Sequence, residues 1–171
     1  MDVYKEQLIR VKPNSSDKMK KAIVVVMMFC LCVMAIYFSI FIVPYIPLGC
    51  ILIFAIVWGG LTFMRNLDYE YEYIFTNGDL DVDKIIAKAK RKRLCTVKVS
   101  SFTNFCLYDE GVEPKSDIDA SIVVTDGTDS PIYLAEFSHP DLGLCALYFS
   151  PNEDMLECIK GFLPRNLRGQ I

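Results

Sequence analysis

The chain has 171 residues, 53% of them apolar, and a formal charge of −3, which suits one small core and excludes a large multidomain assembly. Charge is placed unevenly: residues 1–21 carry six Lys/Arg against three Asp/Glu, residues 65–171 carry twelve against eighteen, and no Asp, Glu, Lys, Arg or His lies between Ala22 and Met64. The acidic C-terminal part argues against nucleic acid as a partner, because phosphate neutralisation supplies most of that affinity.

Residues 1–21 read as a basic N-terminal segment that leads into an apolar stretch over 22–64. Ala22 to Val43 is twenty-two residues with nothing more polar than Ser39, Tyr37 and two Cys. A helix of about 20 residues crosses a hydrocarbon core of about 30 Å. Pro44, Pro47 and Gly49 predict a tight turn, and a second span follows over about 46–64. The short connection forces an antiparallel pair. A cleaved signal peptide fits poorly, since its apolar region is about 7–15 residues long and followed by a small-x-small site. Lys18, Lys20 and Lys21 abut the first span, Arg65 closes the second, and the connection has no basic residue. That asymmetry predicts a protein of the cell membrane with both termini cytoplasmic. Ala35 and Ser39, and Ala55 and Gly59 with Gly60 beside it, stand at the spacing that lets helices pack closely in lipid, within the hairpin or between copies.

Beyond Arg65 the period changes to that of strands. Tyr69–Thr76 is rich in aromatic and β-branched residues and ends in Asn77-Gly78, the strongest short hairpin signal. Leu80–Ala89, Leu94–Ser101, Asn104–Tyr108, Ala120–Thr125, Ile132–Phe137 and Leu144–Phe149 follow. Seven strands with no helix between them predict an antiparallel meander closing as a small barrel or sandwich. Ser150-Pro151-Asn152-Glu153 carries helix-start chemistry, and Met155, Leu156, Ile159, Phe162 and Leu163 repeat at helical spacing behind it. The domain so defined runs over 66–171.

Tyr73-Ile-Phe-Thr-Asn-Gly-Asp-Leu-Asp-Val, Lys88-Ala-Lys-Arg-Lys-Arg and Val97-Lys-Val-Ser-Ser-Phe together resemble the bacterial pleckstrin-homology-like domains. The whole chain resembles a family of small two-span bacterial membrane proteins that end in such a domain. The resemblance implies an antiparallel barrel of about seven strands with a C-terminal helix, membrane association, and no catalytic residue.

Candidate chemistry is sparse. The single His139 precedes Pro140 and reads as a turn residue, and no nucleophile, phosphate or metalloprotease motif occurs. Asp79, Asp81 and Asp83, and Asp117 and Asp119, alternate as on a solvated strand face and lack the Gly and Glu of a calcium loop. The seven Cys contain no C-x-x-C pair and fit free thiols in a reducing compartment, with no disulfide framework or zinc site. No cofactor and no metal is expected.

The conspicuous feature is basic: Lys84, Lys88, Lys90, Arg91, Lys92, Arg93 and Lys98 lie together without an intervening acid. Lys88, Lys90, Arg91, Lys92 and Arg93 are the candidates for contact with anionic headgroups. Alternatively they blunt a sheet edge or pair with the domain's acids. The sequence thus reads as a non-enzymatic binding or scaffold module at the inner membrane surface, docking a protein partner or a second copy. The alternative is a lipid-sensing or transport-accessory protein acting through an oligomeric hairpin.

Overall fold

Period-two alternation from Tyr69 onward assigns one face of each strand to a core, and the computed structural model, which describes residues 2–12, 14–42, 46–109, 117–128 and 130–169, builds two sheets on that pattern. The chain divides into two units, residues 13–68 and a sheet domain made of residues 1–12 and 69–171.

In the sheet domain, β1 (Tyr4–Arg10), β2 (Tyr69–Thr76), β3 (Asp79–Ile86) and β4 (Lys90–Lys98) form an antiparallel sheet in that order. The second sheet holds β5 (Asn104–Leu107), β6 (Ala120–Val124), β7 (Tyr133–His139) and β8 (Gly143–Phe149) in the order β5-β7-β8-β6. Tyr73, Phe75, Leu80, Val82 and Val97 from the first sheet meet Phe105, Phe137, Leu147 and Phe149 from the second. The amphipathic helix α3 (Glu153–Phe162) adds Met155 and Ile159 to this core. Asn152 caps α3 by accepting the Met155 N–H at 2.9 Å, as its start signature predicts.

Three features depart from the expected barrel. The seven predicted strands correspond to β2–β8, but an eighth, β1, comes from the segment read as a free N-terminus. It runs Tyr4 against Thr76 through Arg10 against Glu70. Among the described residues the strands form two separate sheets and not one closed barrel. The meander also breaks at β6, which lies beside β8 in a parallel pair and not beside β7. The chain from Val124 to Tyr133 is long enough to step past one intervening strand, because an extended residue reaches about 3.3 Å.

The Asn77-Gly78 turn forms with φ of 50° and 97°, the left-handed pair that a two-residue hairpin of this kind needs. Phe162 Cδ1 lies 2.7 Å from where a Cβ on Gly78 would sit, so the absent side chain also lets α3 pack on the turn.

In residues 13–68, α1 (Ser15–Tyr37) continues into a π-turn over Phe38–Ile42, and α2 (Ile46–Asn66) packs against it. Both helices are long and apolar enough to cross a membrane, and only 11% and 6% of their apolar windows are buried. Such exposure separates them from the core helices of a soluble protein. Pro47 and Gly49, expected in the turn, belong to the first turn of α2, where Pro is tolerated because its N–H has no partner there. Pro44 lies outside the described residues.

Candidate functional site

The basic stretch forms the end of β3, the turn Ala87–Ala89 and the start of β4. Val82 faces Cys95, but Asp83 faces Arg93, so Leu94 is an extra residue in β4. A one-residue bulge moves every following side chain to the opposite face. Arg91 and Arg93 therefore share a face with Asp81, Asp83 and Glu72. Lys90 and Lys92 share the other with Lys84, Tyr69 and Tyr71. Ala87 and Lys88 both adopt left-handed φ, 54° and 56°, an uncommon conformation for residues with a Cβ.

The two arginines are already engaged. Arg93 Nε donates to Asp83 Oδ1 at 3.0 Å, and its Nη2 lies 3.1 Å from Asp81 Oδ2. Arg91 Nη2 lies 2.6 Å from Glu72 Oε2, a charge contact whose geometry falls short of a hydrogen bond. Asp83 was expected on a solvated face, yet it is 1% exposed, and Glu72 on β2 is 3% exposed, because the guanidinium groups of β4 lie over them. Burial raises the Glu72 carboxyl above the ordinary value, and a hydrogen bond with Glu6 on β1 adds to the rise. The Tyr4 hydroxyl, which donates to Glu6 Oε2 at 2.7 Å, lowers the Glu6 carboxyl most, and the hydrogen bond with Glu72 adds to this.

The lysines divide differently. Lys84 Nζ sits 3.8 Å from the centroid of the Tyr69 ring, a cation–π contact. Lys88, Lys90 and Lys92 are exposed, with no ion pair among the described residues. Of the five candidates for headgroup contact, three project freely and two are held by carboxylates. The sequence signal for this division is strand alternation, which separates Lys90 and Lys92 from Arg91 and Arg93, and the bulge decides which pair meets Asp81 and Asp83.

The small residues of the hairpin also divide. Ala35 and Ser39 are buried, and Ser39 lies against Gly49, where a Cβ would come within 2.5 Å of its Oγ. Met28 covers Gly60 so closely that a side chain there would displace it. Ala55 and Gly59 are exposed, and a Cβ on Gly59 would meet nothing within 4 Å.

Other candidates have structural partners. His139 Nδ1 accepts the Asp141 N–H at 3.2 Å in the β7–β8 turn. Asp119 accepts the Leu144 N–H at 2.9 Å, joining the start of β6 to β8. The cysteines are free, and burial pushes the Cys95 thiol up to about 12. Among the described residues no three His, Cys, Asp or Glu are grouped to hold a metal.

Among the described residues the domain comprises two four-stranded sheets, a capped C-terminal helix and a basic β3–β4 hairpin. The model of a family described as "Bacterial PH-like domain (DUF6106)" matches residues 1–169, and the chain belongs to this family. No curated protein and no solved structure matches it significantly. The match includes β1 and the apolar helices, so the domain is not purely C-terminal: the hairpin interrupts it.

Proposed function

We propose that this chain is a membrane-anchored, non-enzymatic binding or scaffold module at the inner face of the cell membrane. It docks a protein partner or a second copy and orients on anionic lipid through the β3–β4 hairpin. The observation carrying the lipid contact is the exposure of Lys88, Lys90 and Lys92 on the β3–β4 turn and the start of β4 without a carboxylate partner among the described residues. Ile86 faces Tyr69 and Arg10 faces Glu70. The lysine turn is therefore at the end of the sheet where the chain departs for α1 and returns from α2. Each lysine close to an anionic surface contributes about 1 kcal/mol. Membership of a PH-like family favours binding over catalysis.

The orientation rests on Lys18, Lys20, Lys21 and Arg65 at the helix ends. The β1–β2 ladder agrees with it, since paired strands share one aqueous compartment.

The test places the full chain in nanodiscs of neutral phosphatidylcholine or of a mixture with anionic phosphatidylglycerol and measures amine-reactive labelling lysine by lysine. Lys98, exposed at the far end of β4, is the internal reference. Lys88, Lys90 and Lys92 should label about threefold more slowly in anionic discs, and physiological salt should reduce the difference. Equal rates in both discs would sink the lipid contact and leave a protein-docking module held by its helices alone.

A further inference from the structure

β1 is separated from its partner strand by the entire membrane hairpin, yet it is stitched into the domain at several points. Its seven residues pair along β2. The Val3 N–H donates to Asn77 Oδ1 at 2.8 Å, and the Asn77 N–H returns to the Val3 carbonyl at 2.9 Å. Gln7 donates to the Ser150 carbonyl at 3.1 Å and accepts the Asn152 N–H at 2.8 Å. Lys5 pairs with Asp154 at 2.9 Å, and the Lys12 N–H donates to the Asp126 carbonyl at 3.0 Å. β1 thus holds the edge of β2, the turn after β6 and the start of α3 together. It forms one wall of a hollow of about 350 Å³ between these elements, lined by Gln7, Ile9, Asp126, Ser150 and Asn152.

Apart from the Gln7 and Lys5 contacts, its side chains contribute little to this hold. Only Ile9 of β1 is buried, and the sequence Tyr-Lys-Glu-Gln-Leu-Ile-Arg carries three charges in seven residues. A strand bound mainly by backbone pairing has little independent stability. Without it, β2 would present an open edge, a ready template for another strand.

A hydrogen-bonded ladder cannot form across a bilayer, because unpaired backbone groups are not tolerated in hydrocarbon. β1 and β2 can pair only when the chain between Arg10 and Tyr69 crosses an even number of times. We infer that β1 is a topology-dependent clasp: the sheet domain is completed only when both ends of the inserted hairpin emerge on one side. Any odd number of crossings leaves β2 with a vacant edge that a β1 segment can fill in trans. The inference requires α1 and α2 to span the bilayer, which carbonate extraction of the same samples checks independently.

The experiment alters crossing parity in the full chain. One variant inserts a single Leu/Ala span between Asn66 and Leu67, and its control inserts two such spans joined by a short polar loop. Both are placed in nanodiscs, which expose both membrane faces to protease, and crossing number is verified by side-specific labelling of introduced cysteines. The odd variant should lose the protease-resistant 69–169 core about tenfold faster than wild type or the even control. A synthetic peptide of residues 2–12 should restore resistance. A core equally resistant in wild type and in a three-span chain would overturn the inference. So would equal lability in the even control, or lability that the peptide fails to reverse, since the loss would then not come from the missing strand. A third span kept out of the bilayer while the core stays intact would support it, because strand pairing would have dictated parity.

Discussion

At the scale of single residues, Tyr73 makes a polar joint between the two sheets. It is fully buried, its hydroxyl donates to the Val124 carbonyl, and the Tyr73 hydroxyl oxygen accepts the Ser150 N–H at 3.4 Å. Burial raises its ionisation above the ordinary phenol value. Tyr73→Phe keeps the ring against Phe149, whose centroid is 5.7 Å away, and removes only the polar bridge. An unpaired buried carbonyl costs about 1–3 kcal/mol. Urea denaturation in mild detergent should show that loss with an unchanged slope, whereas an unchanged midpoint would mean the bridge is not formed. The aromatic character of this residue is plain in the sequence, but its hydroxyl partners lie about fifty and eighty positions away in β6 and after β8, beyond any local pattern.

At the scale of elements, the hairpin and the lysine turn both depend on which face a residue occupies. In α2, Gly59 and Gly60 are adjacent and chemically identical, yet only Gly60 receives Met28. Adjacent helical residues point about 100° apart, which is enough to separate a packed face from an exposed one. Gly60→Val should weaken helix pairing by about 1–3 kcal/mol through overpacking, while Gly59→Val should change it by less than about 0.5 kcal/mol. Titration of the full chain with SDS, read by helix–helix energy transfer, separates the two. Equal effects would contradict the packing of Met28 on Gly60. In β4 the same logic works through the bulge at Leu94, which sends the arginines to the acids and leaves the lysines on the other face.

At the scale of the whole molecule, the membrane hairpin is an insertion between two paired strands and not a stalk in front of a finished domain. A fragment of residues 66–171 lacks β1 and should show no cooperative melting transition or one lower by about 10 °C. A chain in which residues 13–68 are replaced by a four-residue linker, joining Lys12 to Tyr69, should melt cooperatively. Circular dichroism of the two forms decides the matter: comparable melting would show that β1 is dispensable for stability. Charge also acts at this scale. The arginines neutralise carboxylates within the domain, so the lysine turn keeps its positive field despite the acidic whole.

Composition alone determined the two apolar helices and a strand-rich remainder, because both depend on short-range periodicity and length. Local chemistry likewise determined the Asn77-Gly78 turn, seven strands and the capped helix α3. Three matters waited for the tertiary structure. β1 has one buried residue and partners between 60 (Arg10 to Glu70) and 72 (Tyr4 to Thr76) positions away, so its pattern carries almost no signal. The parallel placement of β6 beside β8 is a choice of neighbour, to which alternation within a strand is blind. Alternation already sets the lysines and arginines on opposite faces, but which set meets Asp81 and Asp83 follows from one extra residue in β4. Such a bulge costs the strand little locally but turns every later side chain over, so it is settled by what the opposite strand offers.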